Sequence, residues 1–147
     1  MRGLILISKG FEESEAIITI DMLRRAQITI DLVSIDKDLT VLSSHNIQIV
    51  CDYKVSQINL NDYDFLVIPG GKAVFDTHLF SLTVKSIVEY FMNQQKLVAT
   101  ICAAPMVLGK YKYLKNKQYT CFPGCENTEF EGIYLNNQNV VTTNNEA

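Results

Sequence analysis

The segment LVATICAAPMVLGK, residues 97–110, runs apolar into a cysteine, Cys102, and on into small, helix-favouring residues. A thiol there sits at the seam between a strand and the first turn of a helix. Unpaired N–H groups and the helix dipole stabilise an anion at such a place and lower a thiol from its usual ~8.5. A nucleophile on a sharp strand-to-helix turn also needs small neighbours, because the backbone is crowded. Ala103 and Ala104 meet that need on one side, and Thr100 meets it less well on the other. A lone Cys before a helix also reads as a small buried hydrophobe, so the residues leave both readings open.

Other groups could serve such a thiol. In IPGGKA, residues 68–73, the glycines imply a turn with positive φ, or backbone N–H groups facing a crevice. The Gly71 and Ala103 N–H groups are then candidates for an oxyanion hole, with Gly70 lining it. GGK lacks the spacing of a phosphate loop. In KGFEESEA, residues 9–16, Glu12 and Glu13 read as solvated first-turn acids. Glu15, followed by Ala16, Ile17 and Ile18, is expected to face partly inward. Desolvation keeps a buried carboxyl protonated, and it can then donate to a thiolate. Of the histidines, His78 reads as an exposed helix-start residue, and His45 as a possible pocket-lining one. Cys121 and Cys125 stand four apart without C-x-x-C spacing or a His cluster, so no metal is expected.

Positioning these groups requires strand-to-helix junctions on one edge of a sheet. LILIS, residues 4–8, reads as a strand buried on both faces. A helix is expected over 10–27, acidic at its start, basic at its end, with Ala16, Ile20 and Leu23 as its stripe. A strand follows at 28–35, an edge hairpin within 41–52, and a buried strand in 65–71. Residues 79–94 predict a helix burying Phe80, Val84, Ile87, Val88 and Phe91, capped by Asp76 or Thr77. KLVATI, residues 96–101, is the strand that delivers Cys102, and Pro105 suits the first turn of a helix over 103–111. Short strands are expected between Gln118 and Val141. This alternation implies an α/β parallel sheet with right-handed crossovers. Ligands of such sheets sit beyond the carboxyl ends of the strands, where KGFEESEA, IPGGKA and ICAAP all fall.

The chain has 147 residues, 48% hydrophobic and 20% charged, which bounds it to one globular domain. A formal net charge of −3 argues against a nucleic-acid partner, and no apolar run approaches bilayer length. MRGLILISKG reads as a first strand rather than a signal peptide, so the four cysteines are expected to be reduced in a cytoplasm.

KGFEESEA, DMLRRA, SSHNI, YDFLVIPGG, LVATICAAPMVLGK and YTCFPG stand in the order and spacing of the ThiJ/PfpI superfamily. The chain resembles the branch of small deglycase and glyoxalase-like proteins from Arg2 to about Val141. The resemblance implies a flavodoxin-like three-layer sandwich and a homodimer. It implies that Cys102 is the family's reactive cysteine and Glu15 the protonated carboxyl bonded to it. Gly71 and Ala103 match the positions whose amides form the family's anion site. Members are described as cofactor-free glyoxalases acting on methylglyoxal, as protein deglycases, as oxidative-stress sensors and as chaperones. The implied substrate is therefore a small reactive carbonyl or a glycated protein, with no cofactor. Where some relatives carry a His in the segment matching YTCFPG, this chain has Phe122. No His follows Cys102, which argues against a Cys-His-acid hydrolase or amidotransferase. The family continues into a TSRGPGT-like loop and a C-terminal helix. This sequence ends at TTNNEA, so a single domain over 1–147 is expected, without that layer either because the sequence is a fragment or truncated form or because this member lacks it.

Overall fold

The computed structural model describes residues 1–136. The apolar runs form a five-stranded, wholly parallel sheet. Its strands are β1 (Arg2–Ile7), β2 (Thr29–Ser34), β5 (Tyr53–Lys54), β6 (Phe65–Ile68) and β7 (Leu97–Thr100), in the order β5-β2-β1-β6-β7. The strands β3 (Thr40–Leu42) and β4 (Gln48–Val50) pair antiparallel as the expected edge hairpin. The short strands β8 (Gln118–Tyr119) and β9 (Ile133–Tyr134) form a separate parallel pair. The expectations for residues 137–147, including how the chain ends, lie outside the described residues.

Strand alternation divides the core into two. Leu4, Leu6, Leu66 and Ile68 point to one side, against Val84, Ile87, Val88 and Phe91 of helix α2 (Leu82–Asn93) and Val107 of helix α3 (Pro105–Lys110). Ile5, Ile7 and Val67 point to the other, against Ala16 and Ile20 of helix α1 (Glu13–Arg25) and Val41 of the hairpin. The result is a three-layer α/β sandwich. At the base of the sheet, Arg2 bridges to the buried Asp31 at 2.6 Å, and the Tyr63 hydroxyl donates to the same carboxylate at 2.9 Å.

Two sequence expectations fail in the segment before α2. The helix begins later than residue 79, capped by Ser81, whose hydroxyl accepts from Val84 N–H at 3.3 Å. Phe80 therefore lies outside it, 72% exposed. Residues Val74–His78 form a single wide π-type turn. That turn rotates His78 inward. It is fully buried, not exposed, with Nε2 at 2.9 Å from Ser8 Oγ and Nδ1 without a partner among the described residues. Burial alone lowers its pKa to about 4.

Candidate active site

Cys102 follows β7 directly. Its φ of +61° is the left-handed region, uncommon for a residue with a side chain. Ile101 N–H still bonds to Ile68 C=O at 3.4 Å, at the weak limit for such a bond. The chain then breaks from the sheet, and Pro105 opens α3 in its first turn. The sulfur is thus turned toward the loop after the neighbouring strand β6. Held strain of this kind costs of order 1–3 kcal/mol and clusters at functional sites.

The loop after β6 is shaped for close approach. A Cβ on Gly70 would stand 2.7 Å from Cys102 Cβ, 2.7 Å from Glu15 Oε2 and 3.1 Å from the sulfur. Gly71, at φ +90°, pairs with Phe11 in an isolated bridge, and a Cβ there would meet Glu12 N at 2.4 Å. Only glycine fits at either position. The backbone of 70–71 is thereby laid against the start of α1, where Glu12 N–H donates to Gly70 C=O at 3.0 Å.

Glu15 completes the group. From the first turn of α1 its Oε2 accepts from Gly70 N–H at 2.7 Å, and its carboxyl and the Cys102 side chain both lie against Gly70. The Ala103 and Gly71 N–H groups are placed to stabilise charge on the Cys102 sulfur. Cys102, Glu15, Gly70, Gly71 and Ala103 are therefore brought together at the carboxyl end of the sheet. Burial raises the Glu15 carboxyl above its ordinary value, opposed by the bonds from Gly70 and Cys102.

The thiol itself does not follow the simple expectation. Burial and the adjacent Glu15 carboxylate push Cys102 up to about 11, while the Ala103 and Gly71 amides pull it down by less. The amides are in place, yet desolvation outweighs them so long as Glu15 is ionised. The pair can hold one proton in two ways. On sulfur, it leaves a neutral thiol beside a carboxylate. On Glu15, it removes the like charge and turns the carboxyl into a donor toward a thiolate.

The sulfur opens onto a cavity of about 330 Å³, whose wall includes Phe75, Phe122, Pro123 and Cys125 besides Gly71 and Ala103. Its lining is mainly apolar, and Phe122, 58% exposed, stands at its rim. His45 does not contribute to this lining. Its Nδ1 sits 2.7 Å from Glu13 Oε1, and its side chain is 72% exposed. Glu13, read as solvated, is instead largely covered, its side chain 13% exposed beneath the hairpin. Phe75 and Cys125 were not legible as site residues, because a turn and a loop far along the chain deliver them. His78 had one signal: Ser8, a hydroxyl ending an apolar strand, needs a buried partner.

Comparison with known proteins follows the same outline. Residues 1–146 match the DJ-1/PfpI family. Protein dj-1beta of Drosophila melanogaster is 32% identical over 121 residues, 82% of this chain and 65% of that protein. A deglycase of Pyrococcus horikoshii is 28% identical over 124 residues, 84% of this chain and 74% of that one. The structure of oxidized DJ-1 from Toxoplasma gondii superposes with a TM-score of 0.85 at 26% identity, covering 97% of this chain and 78% of that one.

Proposed function

The chain belongs to the DJ-1/PfpI family, and from that membership and the surroundings of Cys102 we propose that it is a cofactor-free enzyme acting on α-oxoaldehydes such as methylglyoxal, as a glyoxalase or protein deglycase. The observation that carries this reading is the sulfur held at φ +61° among two amides and a half-buried carboxyl. The likeness to a named deglycase supports it.

In the proposed reaction the proton rests on Glu15 and Cys102 is a thiolate. The sulfur attacks the aldehyde carbon. The carbonyl π electrons move to oxygen, and the Gly71 and Ala103 N–H groups hold that alkoxide. Glu15 delivers its proton to the oxygen, giving a neutral hemithioacetal. The resulting carboxylate then removes the proton from the former aldehyde carbon and returns it to the neighbouring carbon. The hydroxyl proton passes to the oxygen on that neighbouring carbon in the same internal redox exchange, which produces a thioester of lactate on Cys102. Water hydrolyses the thioester, releasing lactate and restoring the site. Each atom of methylglyoxal plus one water is accounted for, and no outside oxidant takes part. A glycated protein offers the same hemithioacetal or aminocarbinol carbons to the cavity.

Cys102→Ser should abolish lactate formation from methylglyoxal. Glu15→Gln should lower turnover by about 100-fold or more, the range of a lost general acid–base group, with the melting transition retained. Full turnover by Cys102→Ser would refute the reading.

A second reading is oxidative sensing without turnover, in which Cys102 is oxidised and the same amides hold the product. The likeness to a DJ-1 protein in an oxidized state favours it. Mild peroxide should then oxidise Cys102 ahead of Cys51, and unchanged partner binding or chaperone activity on oxidation would count against it.

We further infer a single domain over 1–147 that works as a homodimer in the cytoplasm. Ile18 and Met22, one turn apart on α1, are 62% and 61% exposed and offer an apolar surface for a second copy. Ile18→Glu should shift the protein to monomer in light scattering. A wild-type monomer would contradict this. Among the described residues, no helix is long and apolar enough to cross a membrane.

A further inference from the structure

Three of the four cysteines converge on one side of the sheet. Cys102 and Cys125 line the same cavity. Cys102 and Cys121 are both half-buried against the same apolar cluster. Cys51 lies apart, buried in the cluster on the opposite face. The backbone ties the segments together. Phe122 N–H, next to Cys121, donates to the carbonyl of Cys102 itself at 2.8 Å. Cys125 N–H donates to Phe122 C=O at 2.9 Å, closing the 121–125 turn over the elbow. The Cys121 thiol is pushed up to about 11 by burial first and then by charge on Cys125, Glu126 and Cys102. Disulfides need Cα atoms roughly 4.4–6.8 Å apart, and the main-chain bond between residues 122 and 102 is what draws the two segments together here.

We propose that Cys121 is the resolving cysteine of Cys102, closing a 102–121 disulfide after a hydroperoxide has oxidised Cys102 to its sulfenic acid. The proposal rests on the reading of Cys102 as the reactive thiol. In the first step the Cys102 thiolate attacks the distal peroxide oxygen. An S–O bond forms, the O–O bond breaks, sulfur loses two electrons, and the alcohol or water leaves with a proton from solvent. In the second step the Cys121 sulfur attacks the Cys102 sulfur. The S–O bond breaks, and the hydroxyl departs as water with the Cys121 proton. Two thiols and one hydroperoxide thus become a disulfide, an alcohol or water, and a second water. The disulfide diverts Cys102 from the irreversible sulfinic acid and silences the nucleophile until a thiol reductant releases it.

Cys121 is favoured over Cys125 because its neighbour bonds directly to Cys102, while Cys125 is 5% exposed and packed in the core. The 120–127 stretch holds no helix or strand that must break for Cys121 to turn inward.

The test uses the full chain with stoichiometric hydrogen peroxide at neutral pH, digested without reductant and read by mass spectrometry. The expected result is a 102–121 linked peptide in the wild type and in Cys125→Ser. In Cys121→Ser the link is absent, and Cys102 sulfinate rises several-fold at equal peroxide. Dithiothreitol should restore methylglyoxal turnover to the oxidised wild type but not to oxidised Cys121→Ser. Sulfinate on wild-type Cys102 with no link, or a link from Cys102 to Cys125, overturns the proposal and leaves the reactive-thiol reading standing. A Cys102 that stays reduced while other thiols oxidise overturns that reading and the proposal with it.

Discussion

Acidification should unfold this protein in part through one buried histidine. His78 is fully buried, its Nε2 bonded to Ser8 Oγ at 2.9 Å and its Nδ1 without a partner among the described residues. Burial lowers its pKa from the ordinary 6.5 to about 4. The folded state therefore prefers the neutral ring. Between those two values the unfolded chain binds more protons than the folded one, so stability rises with pH there. The contribution is fully present above 6.5 and is lost as pH falls through about 4. Over that window the loss is about 3 kcal/mol, of which about 2 kcal/mol is gone by pH 5. Urea unfolding at pH 7 and pH 5 measures it, with the double variant Ser8→Ala/His78→Leu as reference, since carboxylates titrate equally in both. The wild type should lose about 2 kcal/mol more than the variant between the two pH values. Equal losses, or an NMR titration of His78 near 6.5, would refute the reasoning.

Gly70→Ala should abolish turnover with the fold largely kept, because its Cβ would stand 2.7 Å from both Cys102 Cβ and Glu15 Oε2; wild-type kcat/KM in that variant would show the contacts to be idle. Tyr63→Phe should cost about 1–2 kcal/mol in urea unfolding, since it strips one donor from the buried Asp31. Cys51 is 3% exposed, with its thiol pushed up to about 12 by burial. It should be the last thiol labelled by iodoacetamide, reacting at the rate of global opening.

The sheet was legible because parallel strands buried on both faces leave long apolar runs. LILI and FLVI needed no knowledge of their partners. The elbow was legible in position, because Ala-Ala-Pro after an apolar strand marks a helix start and Pro-Gly-Gly marks a turn that suits glycine, while the residues alone left the role of the Cys open. Glu15 could be separated from Glu12 because three apolar residues follow it. What stayed hidden was set by tertiary contact. Asp76 and Thr77 have cap chemistry, but the wide turn at 74–78 uses up those residues, and Ser81 caps instead. His78 looked polar and exposed by type, and only the hydroxyl of Ser8, 70 positions away, makes it a core residue. Glu13 and His45 were assigned to solvent and pocket in turn, and the hairpin folds one onto the other. At the thiol, the helix-end amides can be read from the sequence, but the burial and the Glu15 charge that oppose them cannot.

The account rests on where the Glu15–Cys102 pair keeps its proton. Ultraviolet absorbance of the thiolate, followed against pH in the wild type with Cys102→Ser as blank, reads this directly. The account predicts a Cys102 thiolate signal already developed at pH 7, with a midpoint below the ~8.5 of a free cysteine. A midpoint near about 11, the value set by burial and an ionised Glu15, would contradict it.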